Sequence, residues 1–432
     1  MSDQKPQGGT TLGLPTPGDV VKPLAMQQRT FSFTGWRLAV LISGLIAVVS
    51  LVRIVTGAQQ IDSAGTIAAA IGFAIPIGMA GLGGLWSERS GVVNIGLEGM
   101  MILGTWGAGY FGYHYGPWAG VLGAMFMGML GGLVHAVATV TFGVDHIISG
   151  VAINIIALGA VQYLASLTFV GLPGGGQTQS PKIDDVQTIT ISSLGDHLLT
   201  VEKKDIFFVS PLAAVGRALI TDLSMLTIIA LLLLVVTYVV LWRTSFGLRL
   251  RSCGESPSAA ESLGVHVLRY KFVAVLVSGS LAGLAGGYLV MVASSNYRDG
   301  QTGGRGYIGL AAMIFGNWRP GGLLAGSGLF GYTQTLGLRQ GGDSVHALLL
   351  ALAIIAIAAA IWQARQGQHR TAVITGVVAL GIGAVYFAID EVPSDFTSMT
   401  PYVITLLVLA FASQRLRMPA ADGQIYRKGS AG

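Results

Sequence analysis

Uncharged or nearly uncharged stretches of membrane-spanning length recur along almost the whole chain. They fall at roughly 38–56, 64–86, 95–115, 118–142, 147–170 and 222–242, then at 271–293, 306–318, 321–338, 345–362, 371–389 and 401–414. A bilayer crossing takes about 20 apolar residues, fewer where a helix is broken or short. Such a series cannot be clothed in enough polar surface for a water-soluble fold, so the chain reads as a polytopic membrane protein and not as a soluble enzyme. Composition agrees, because only 10% of the 432 residues are charged, against about 25% in soluble domains. The 63 glycines suit membrane helices, which approach closely through small residues. A single cysteine, Cys253, excludes an internal disulfide, and the seven histidines show no ligand spacing. The net charge of +5 fits basic cytoplasmic loops better than nucleic-acid binding.

Residues 1–30 are polar and broken by Pro6, Pro15, Pro17 and Pro23, with no apolar core of a signal peptide. They are expected as part of a disordered cytoplasmic tail, 1–35. Loop charge then sets orientation. Arg243, Arg249, Arg251, Arg269 and Lys271 in and around the loop 243–270 fall on one side, with Arg365, Arg370, the N-terminal tail and the tail 415–432. Asp390, Glu391, Asp395 and the acidic excursion 171–221 fall on the other. The positive-inside rule makes both termini cytoplasmic.

The order Ala80-Gly81-Leu82-Gly83-Gly84 followed by Ile95-Gly96-Leu97-Glu98-Gly99-Met100-Met101 returns in the second half. There Ala282-Gly283-Leu284-Ala285-Gly286-Gly287 is followed by Ile308-Gly309-Leu310-Ala311-Ala312-Met313-Ile314. With alternating crossings the two connections lie on opposite sides, which makes the halves inverted copies, although glycine, alanine and leucine are common enough here for coincidence. Inverted repeats place a transport route at their interface, and short glycine-interrupted segments such as 306–318 point to it.

The stretch from Gly84 to Met101 carries Glu88, Arg89, Asn94 and Glu98 between two apolar segments. An ionisable group at membrane depth costs a few kcal/mol unless paired or facing a polar cavity. Asn94 and Glu98 share a helix face if the helix starts near Val93. Two readings of Glu88 and Arg89 stand, a polar lining for a solute or a solvated turn capped by Ser90 and Asn94. Glu98, deeper in its segment, is expected in the solute route or in an internal ion pair, and Arg305, set among glycines, in the route. The loop 171–221 is either a docking surface or a linker. In the loop 243–270, Pro257–Leu263 reads as a short helix with Ser256 as N-cap and Gly264 as its stop.

Gly84–Met101 resembles the signature of permease subunits of bacterial ABC importers for nucleosides, within the branched-chain amino acid and simple-sugar permease group. The resemblance continues through Phe246–Gly264, Gly304–Ile308, Ile314–Trp318 and Thr400–Leu406. It implies an all-α polytopic fold with about ten core transmembrane helices in two inverted repeats. Residues 343–396, absent from the usual pattern, are then an inserted helical hairpin. The implied division is a first transmembrane half at 36–242, a coupling loop at 243–270 and a second half at 271–414. It makes the short helix, with Gly254, Glu255, Ala259, Ala260 and Gly264, the element that docks on an ATP-binding subunit. A second permease subunit, an extracytoplasmic solute-binding lipoprotein and a nucleoside substrate complete the implied machine. The chain has no G-x-x-x-x-G-K-[ST] cradle, so ATP hydrolysis is expected elsewhere, and no cofactor or metal is implied. An ion-coupled secondary transporter is the alternative; it would share the repeats but would not need the coupling loop.

Overall fold

The structure, a computed structural model, describes residues 35–339, 341–397, 399, 403, 416–427 and 429. The expected tail 1–35, save its last residue, and the segment 401–414, save Val403, lie outside the described residues. The described residues from Leu45 onward form one compact unit.

The described chain is helical almost throughout. The first helices are α1 (Gly35–Thr56), α2 (Ala64–Arg89), α3 (Leu97–Tyr115), α4 (Pro117–Ala136, prolonged by a π-turn to Thr141) and α5 (His146–Thr168). Next come α6 (Ser192–Glu202), α7 (Val209–Ala218), α8 (Met225–Arg243), α9 (Ser245–Glu255) and α10 (Pro257–Ser262). The last are α11 (Val267–Tyr288, with a π-turn to Ser294), α12 (Arg305–Phe315), α13 (Pro320–Arg339), α14 (Gly341–Arg365), α15 (His369–Ala388) and α16 (Ser394–Thr397). A two-residue ribbon pairs Thr188 with Ser224 and Ile189 with Leu223. Among the described residues, seven helices are long and apolar enough to cross a membrane, those beginning at Ala64, Pro117, His146, Met225, Val267, Gly342 and His369.

Local chemistry sets the helix starts. Ser63 accepts from the Thr66 amide at 3.3 Å, Asp145 accepts from the Ile147 and Ile148 amides at 2.9 and 3.0 Å, and Pro117 opens α4 after Gly116 at φ +89°. The core is built where small residues remove the side chains between helices. A Cβ on Gly104 would lie 2.3 Å from Gly283 O, and one on Gly128 would lie 2.4 Å from Gly283 Cα, so α3, α4 and α11 pack almost backbone to backbone.

Three expectations change. Asn94 is not helical, because α3 begins only at Leu97; it does not share a helical face with Glu98. Ser256 precedes α10, but its side chain makes no capping hydrogen bond, and the same loop holds a further helix, α9, capped by the Thr244 hydroxyl at 3.2 Å from the Gly247 amide. The excursion 171–221 is ordered rather than a bare linker: α6 and α7 pack on each other, Glu202 accepts from the Ala64 amide at 3.0 Å, and Arg53 donates to Asp205 at 3.1 Å.

Candidate functional site

Residues 90–96 interrupt what would otherwise be continuous helix between α2 and α3. Buried polar side chains from four helices take up the freed backbone groups there, as a buried break in a helix requires. The Ser87 hydroxyl donates to Val92 O at 2.6 Å, and Lys271 Nζ donates to Gly91 O at 3.2 Å. His135 Nε2 lies 3.0 Å from Val93 O, which can only accept, so this nitrogen carries a proton. His146 Nδ1 accepts from the Val93 amide at 3.3 Å. Asn94, fully buried, donates to the Ser278 hydroxyl at 2.8 Å and accepts from the Gly96 amide at 3.1 Å.

Just beyond the break, Glu98 reaches across to the second half of the chain. Its Oε1 accepts from the Gly304 amide at 3.0 Å and its Oε2 from the Gly306 amide at 2.7 Å. A carboxylate at a helix start satisfies orphan amides and opposes the positive end of the helix dipole. Here one carboxylate in the first turn of α3 serves the start of α12, an 11-residue helix that rises about 16 Å and cannot span a bilayer alone. The contact is tight because Gly306 is bare: a Cβ there would lie 2.6 Å from Glu98 Cα. Asn154 of α5 completes the joint. It accepts from the Gly99 amide at 2.7 Å and donates to Ile95 O at 3.0 Å and to the Tyr307 hydroxyl at 2.9 Å.

Glu88 and Arg89 are not solvated. Glu88 is buried and accepts from Trp318 Nε1 at 2.6 Å; Arg89 donates to Trp318 O at 2.7 and 3.0 Å and stands 5.5 Å over the Trp242 ring. Asn317 and Trp318 both hold positive φ, +55° and +51°, which turns Trp318 back onto the end of α2. Arg89 also lies 3.8 Å from Glu255, at the end of α9.

The residues of the loop 243–270 divide by direction. A Cβ on Gly254 would lie 2.4 Å from Arg89 O, so Gly254 is a packing glycine against α2. Ala260 is buried with Cys253 and Val267, while Ala259 faces outward and Leu263 is 84% exposed. Gly264 holds φ +82°. The segment 416–427 lies along this surface: the Ala421 amide donates to Gly254 O at 2.8 Å, the Arg417 amide to Asn317 Oδ1 at 2.7 Å, and the Tyr426 hydroxyl to Glu261. Burial pushes the Asp422 carboxyl up to about 7, against the pull of Lys271 and Arg89.

Arg305 is turned inward on its own loop, donating to Gln301 O and Thr302 O at 3.0 Å each and standing 5.6 Å over the Phe73 ring. The structure therefore joins Asn94, Glu98 and the loop carrying Arg305 in one region and Glu88, Arg89, Gly254 and Glu255 in another. Sequence reasoning passed over Asn154 and His135 and took Lys271 for a loop charge, whereas it is buried on Gly91 O. The signal was present, since each is a polar residue inside an apolar helix, where its cost demands a partner. Among the described residues there is no cluster of His, Cys, Asp and Glu able to hold a metal.

Comparison with known proteins places this architecture. A family model described as branched-chain amino acid transport system, permease component, matches residues 66–359. A guanosine ABC transporter permease of Bacillus subtilis is 31% identical over 371 residues, 84% of this chain and 96% of the relative. A nucleoside ABC transporter permease of Lactococcus lactis is 31% identical over 82% of this chain and 94% of its own length. A Haloferax volcanii permease named, provisionally, for glucose ABC transport is 30% identical over 85% and 98%. No solved structure gives a significant match. With seven described helices fit to cross a bilayer and a family match over most of its length, the chain is a multi-pass membrane protein that belongs to the family of branched-chain amino acid transport system permease components.

Proposed function

We propose that this chain is the membrane-spanning permease subunit of an ATP-driven importer that carries nucleosides. The observation that carries the reading is the 31% identity to a guanosine permease over 96% of that relative's length. An identity of 30% to a permease named for glucose keeps the common denominator in view, a neutral solute with a hydroxylated sugar ring. The missing phosphate cradle places ATP hydrolysis on a separate subunit. A second permease and an extracytoplasmic binding lipoprotein complete the proposed machine.

In this reading both termini are cytoplasmic, by the loop charges. The solute route follows the joint of α3 and α12, with Asn94, Glu98 and Arg305 near it and Glu88 and Arg89 at its cytoplasmic floor. Two inverted halves of about ten core helices are supported by the sequence repeat of the segments 95–101 and 308–314, whose helices meet where Glu98 of α3 receives the Gly304 and Gly306 amides at the start of α12. The extra hairpin is placed at 343–396. The low burial of α15, 11% of its apolar window, supports this, whereas the family match to residue 359 overlaps α14. Gly254 and Glu255 tie the coupling loop to α2, and the outward surface of α10, with Ala259 and the turn at Gly264, meets the ATP-binding subunit; buried Ala260 seats that helix on its own chain.

The test is uptake of labelled guanosine, adenosine and uridine by the chain co-expressed with its permease, ATPase and binding-protein partners. ATP-dependent uptake that persists after collapse of the proton gradient supports the proposal. Uptake by this chain alone in liposomes, driven by an ion gradient, overturns it.

A further inference from the structure

Helix α7 carries too little polarity for a helix that faces water. Among the residues of Val209–Ala218 a single one is charged, and it is already engaged, since Arg217 is turned onto Glu202 at 2.9 Å. Ser210, Ala213, Ala214 and Ala218 are buried, and α7 packs on α6 and α2. The outward face is apolar as well. Val209, Leu212 and, at the helix end, Leu219 fall on one stripe, and all three are exposed. A helix apolar all round belongs in a core or in a membrane.

The turn into α7 adds to this surface. Ile206 and Phe207 stand between Asp205 and Phe208, whose φ angles of +50° and +67° are uncommon for residues with side chains. The turn is nevertheless pinned. Ser210 Oγ accepts from the Ile206 amide at 2.9 Å and donates to Val201 O at 3.1 Å, and Arg53 donates to Asp205 at 3.1 Å. Ile206, Phe207, Val209, Leu212 and Leu219 are each 43–49% exposed. A strained turn held in place so that it presents apolar side chains points to a use for them.

Their height in the membrane says what covers them. Glu202, the last residue of α6, accepts from the amide of Ala64, the first residue of α2, at 3.0 Å. The ribbon that follows α7 ends at Ser224, whose hydroxyl caps α8 at 3.2 Å from the Leu226 amide. The α6–α7 hairpin therefore sits where α2 and α8, two helices fit to cross a bilayer, begin. At that height an apolar face turned away from the chain's own helices meets lipid. Lys203 and Lys204, just ahead of the apolar turn, are exposed, and neither is in an ion pair among the described residues. Apolar side chains bordered by solvated lysines suit the boundary between acyl chains and anionic headgroups.

We propose that α7 and the turn 205–208 form an interfacial anchor in the bilayer surface. Ile206, Phe207, Val209, Leu212 and Leu219 enter the acyl boundary, and Lys203 and Lys204 meet anionic phospholipid headgroups. The anchor holds the hairpin against the membrane, and through Glu202 and Asp205 it steadies the adjoining ends of α2 and α1. It does not depend on which solute is carried.

The experiment uses the full chain with Cys253→Ser and one new cysteine, Ile206→Cys, Phe207→Cys or, as an exposed reference in the same excursion, Gln177→Cys. Each carries an environment-sensitive fluorophore, and the chain is reconstituted in mixed vesicles of phosphatidylcholine and phosphatidylglycerol. Lipids spin-labelled high on the acyl chain should quench positions 206 and 207 at least about twofold more than position 177, and aqueous iodide should show the reverse order. Spin-labelled phosphatidylglycerol should quench positions 206 and 207 more than spin-labelled phosphatidylcholine does, and Lys203→Glu with Lys204→Glu should abolish that preference. Lipid quenching no greater at 206 and 207 than at 177 overturns the anchor. So does shielding of these positions that appears only when purified binding protein is added, which would assign the face to a protein partner. A preference for the anionic lipid that survives the charge reversal overturns the headgroup contact.

Discussion

The Tyr426 hydroxyl donates to the Glu261 carboxylate, which ties the C-terminal segment to α10. Five residues earlier the Ala421 amide is bonded to Gly254 O at the end of α9, and Asp422 is buried between these contacts and the end of α2. The segment 419–426 thus joins the surface proposed for ATPase docking to the floor of the helix break. A movement of α10 relative to α2 has to displace it.

Docking of this segment should weaken as pH rises. Asp422 goes from an ordinary 3.8 to about 7 when buried, chiefly by loss of water, against the hydrogen bond with Glu88 of α2 and the charges of Lys271 of α11 and Arg89 of α2. A carboxyl raised by docking favours the docked state fully below the ordinary value, and that advantage is lost as pH climbs through about 7. The protection of the 419–426 amides against exchange, taken relative to the base-catalysed rate of a free amide at each pH, should therefore fall about tenfold or more between roughly pH 5 and pH 8, and Asp422→Asn should flatten the profile. The same pH slope in the Asn variant would assign the effect to another group.

Glu98 should be far less replaceable than its neighbours on α3. Alanine leaves the Gly304 and Gly306 amides without their acceptor, at about 1–3 kcal/mol for each buried orphan. Glutamine keeps one oxygen and loses one bond, so its stability loss should be about half as large. Thermal midpoints of the two variants in detergent, with solute uptake alongside, check the order Glu, Gln, Ala.

Helix positions were legible because the physical signal repeats: eleven of the twelve apolar segments fall on described helices. The glycine-rich signature at 84–101 marked the break and Glu98. What could not be read was which distant group answers each polar side chain. Glu88 looked like a candidate for solvent until Trp318, 230 residues away in sequence, turned its indole onto it at 2.6 Å. Ala260 looked equivalent to Ala259, yet one is buried and the other exposed, because a six-residue helix gives too little pattern to show its faces. The ordering of 171–221 depends on ion pairs such as Arg217 with Glu202 at 2.9 Å, which have no periodic signature.

The close helix crossing should respond to a single methyl. Gly279, Gly283 and Gly287 recur every fourth residue on α11, and a Cβ on Gly283 would meet Ala124 O at 2.2 Å. Gly283→Ala should force α4 and α11 apart at a cost of about 1–3 kcal/mol, seen as a lower thermal midpoint and reduced folded yield. Gly376→Ala on α15 meets nothing within 4 Å and should be neutral or slightly stabilising. Equal behaviour of the two variants would refute the crossing geometry.

Orientation can be read from two exposed positions. Burial pushes the Cys253 thiol up to about 11, so the native thiol should label poorly even before its replacement by serine. Cysteines at Ser256 and Gln177, both exposed, should differ in intact cells. Only position 177 should react with an impermeant thiol reagent, and both should react once the membrane is opened. Labelling of position 256 from outside would invert the proposed topology.

The coupling loop makes the last and most divided prediction, because its residues face opposite ways. Ala260 is 3% exposed and packs with Cys253, Val267 and Tyr426 of its own chain. Ala260→Glu would bury an unpaired carboxylate there, so it should reduce membrane abundance as well as transport and cannot by itself report docking. Leu263, 84% exposed, and Ala259 point outward, and charge at either is tolerated by the isolated fold. Leu263→Glu and Ala259→Glu should then lower ATPase co-purification and uptake at least severalfold while membrane abundance stays normal, since removing an apolar anchor from the centre of an interface costs about 2 kcal/mol. Gly264→Val should act through the backbone alone, because φ is +82° and a Cβ there meets nothing within 4 Å. Normal ATPase co-purification in all three outward variants would show that the ATPase seats on a different surface of the chain.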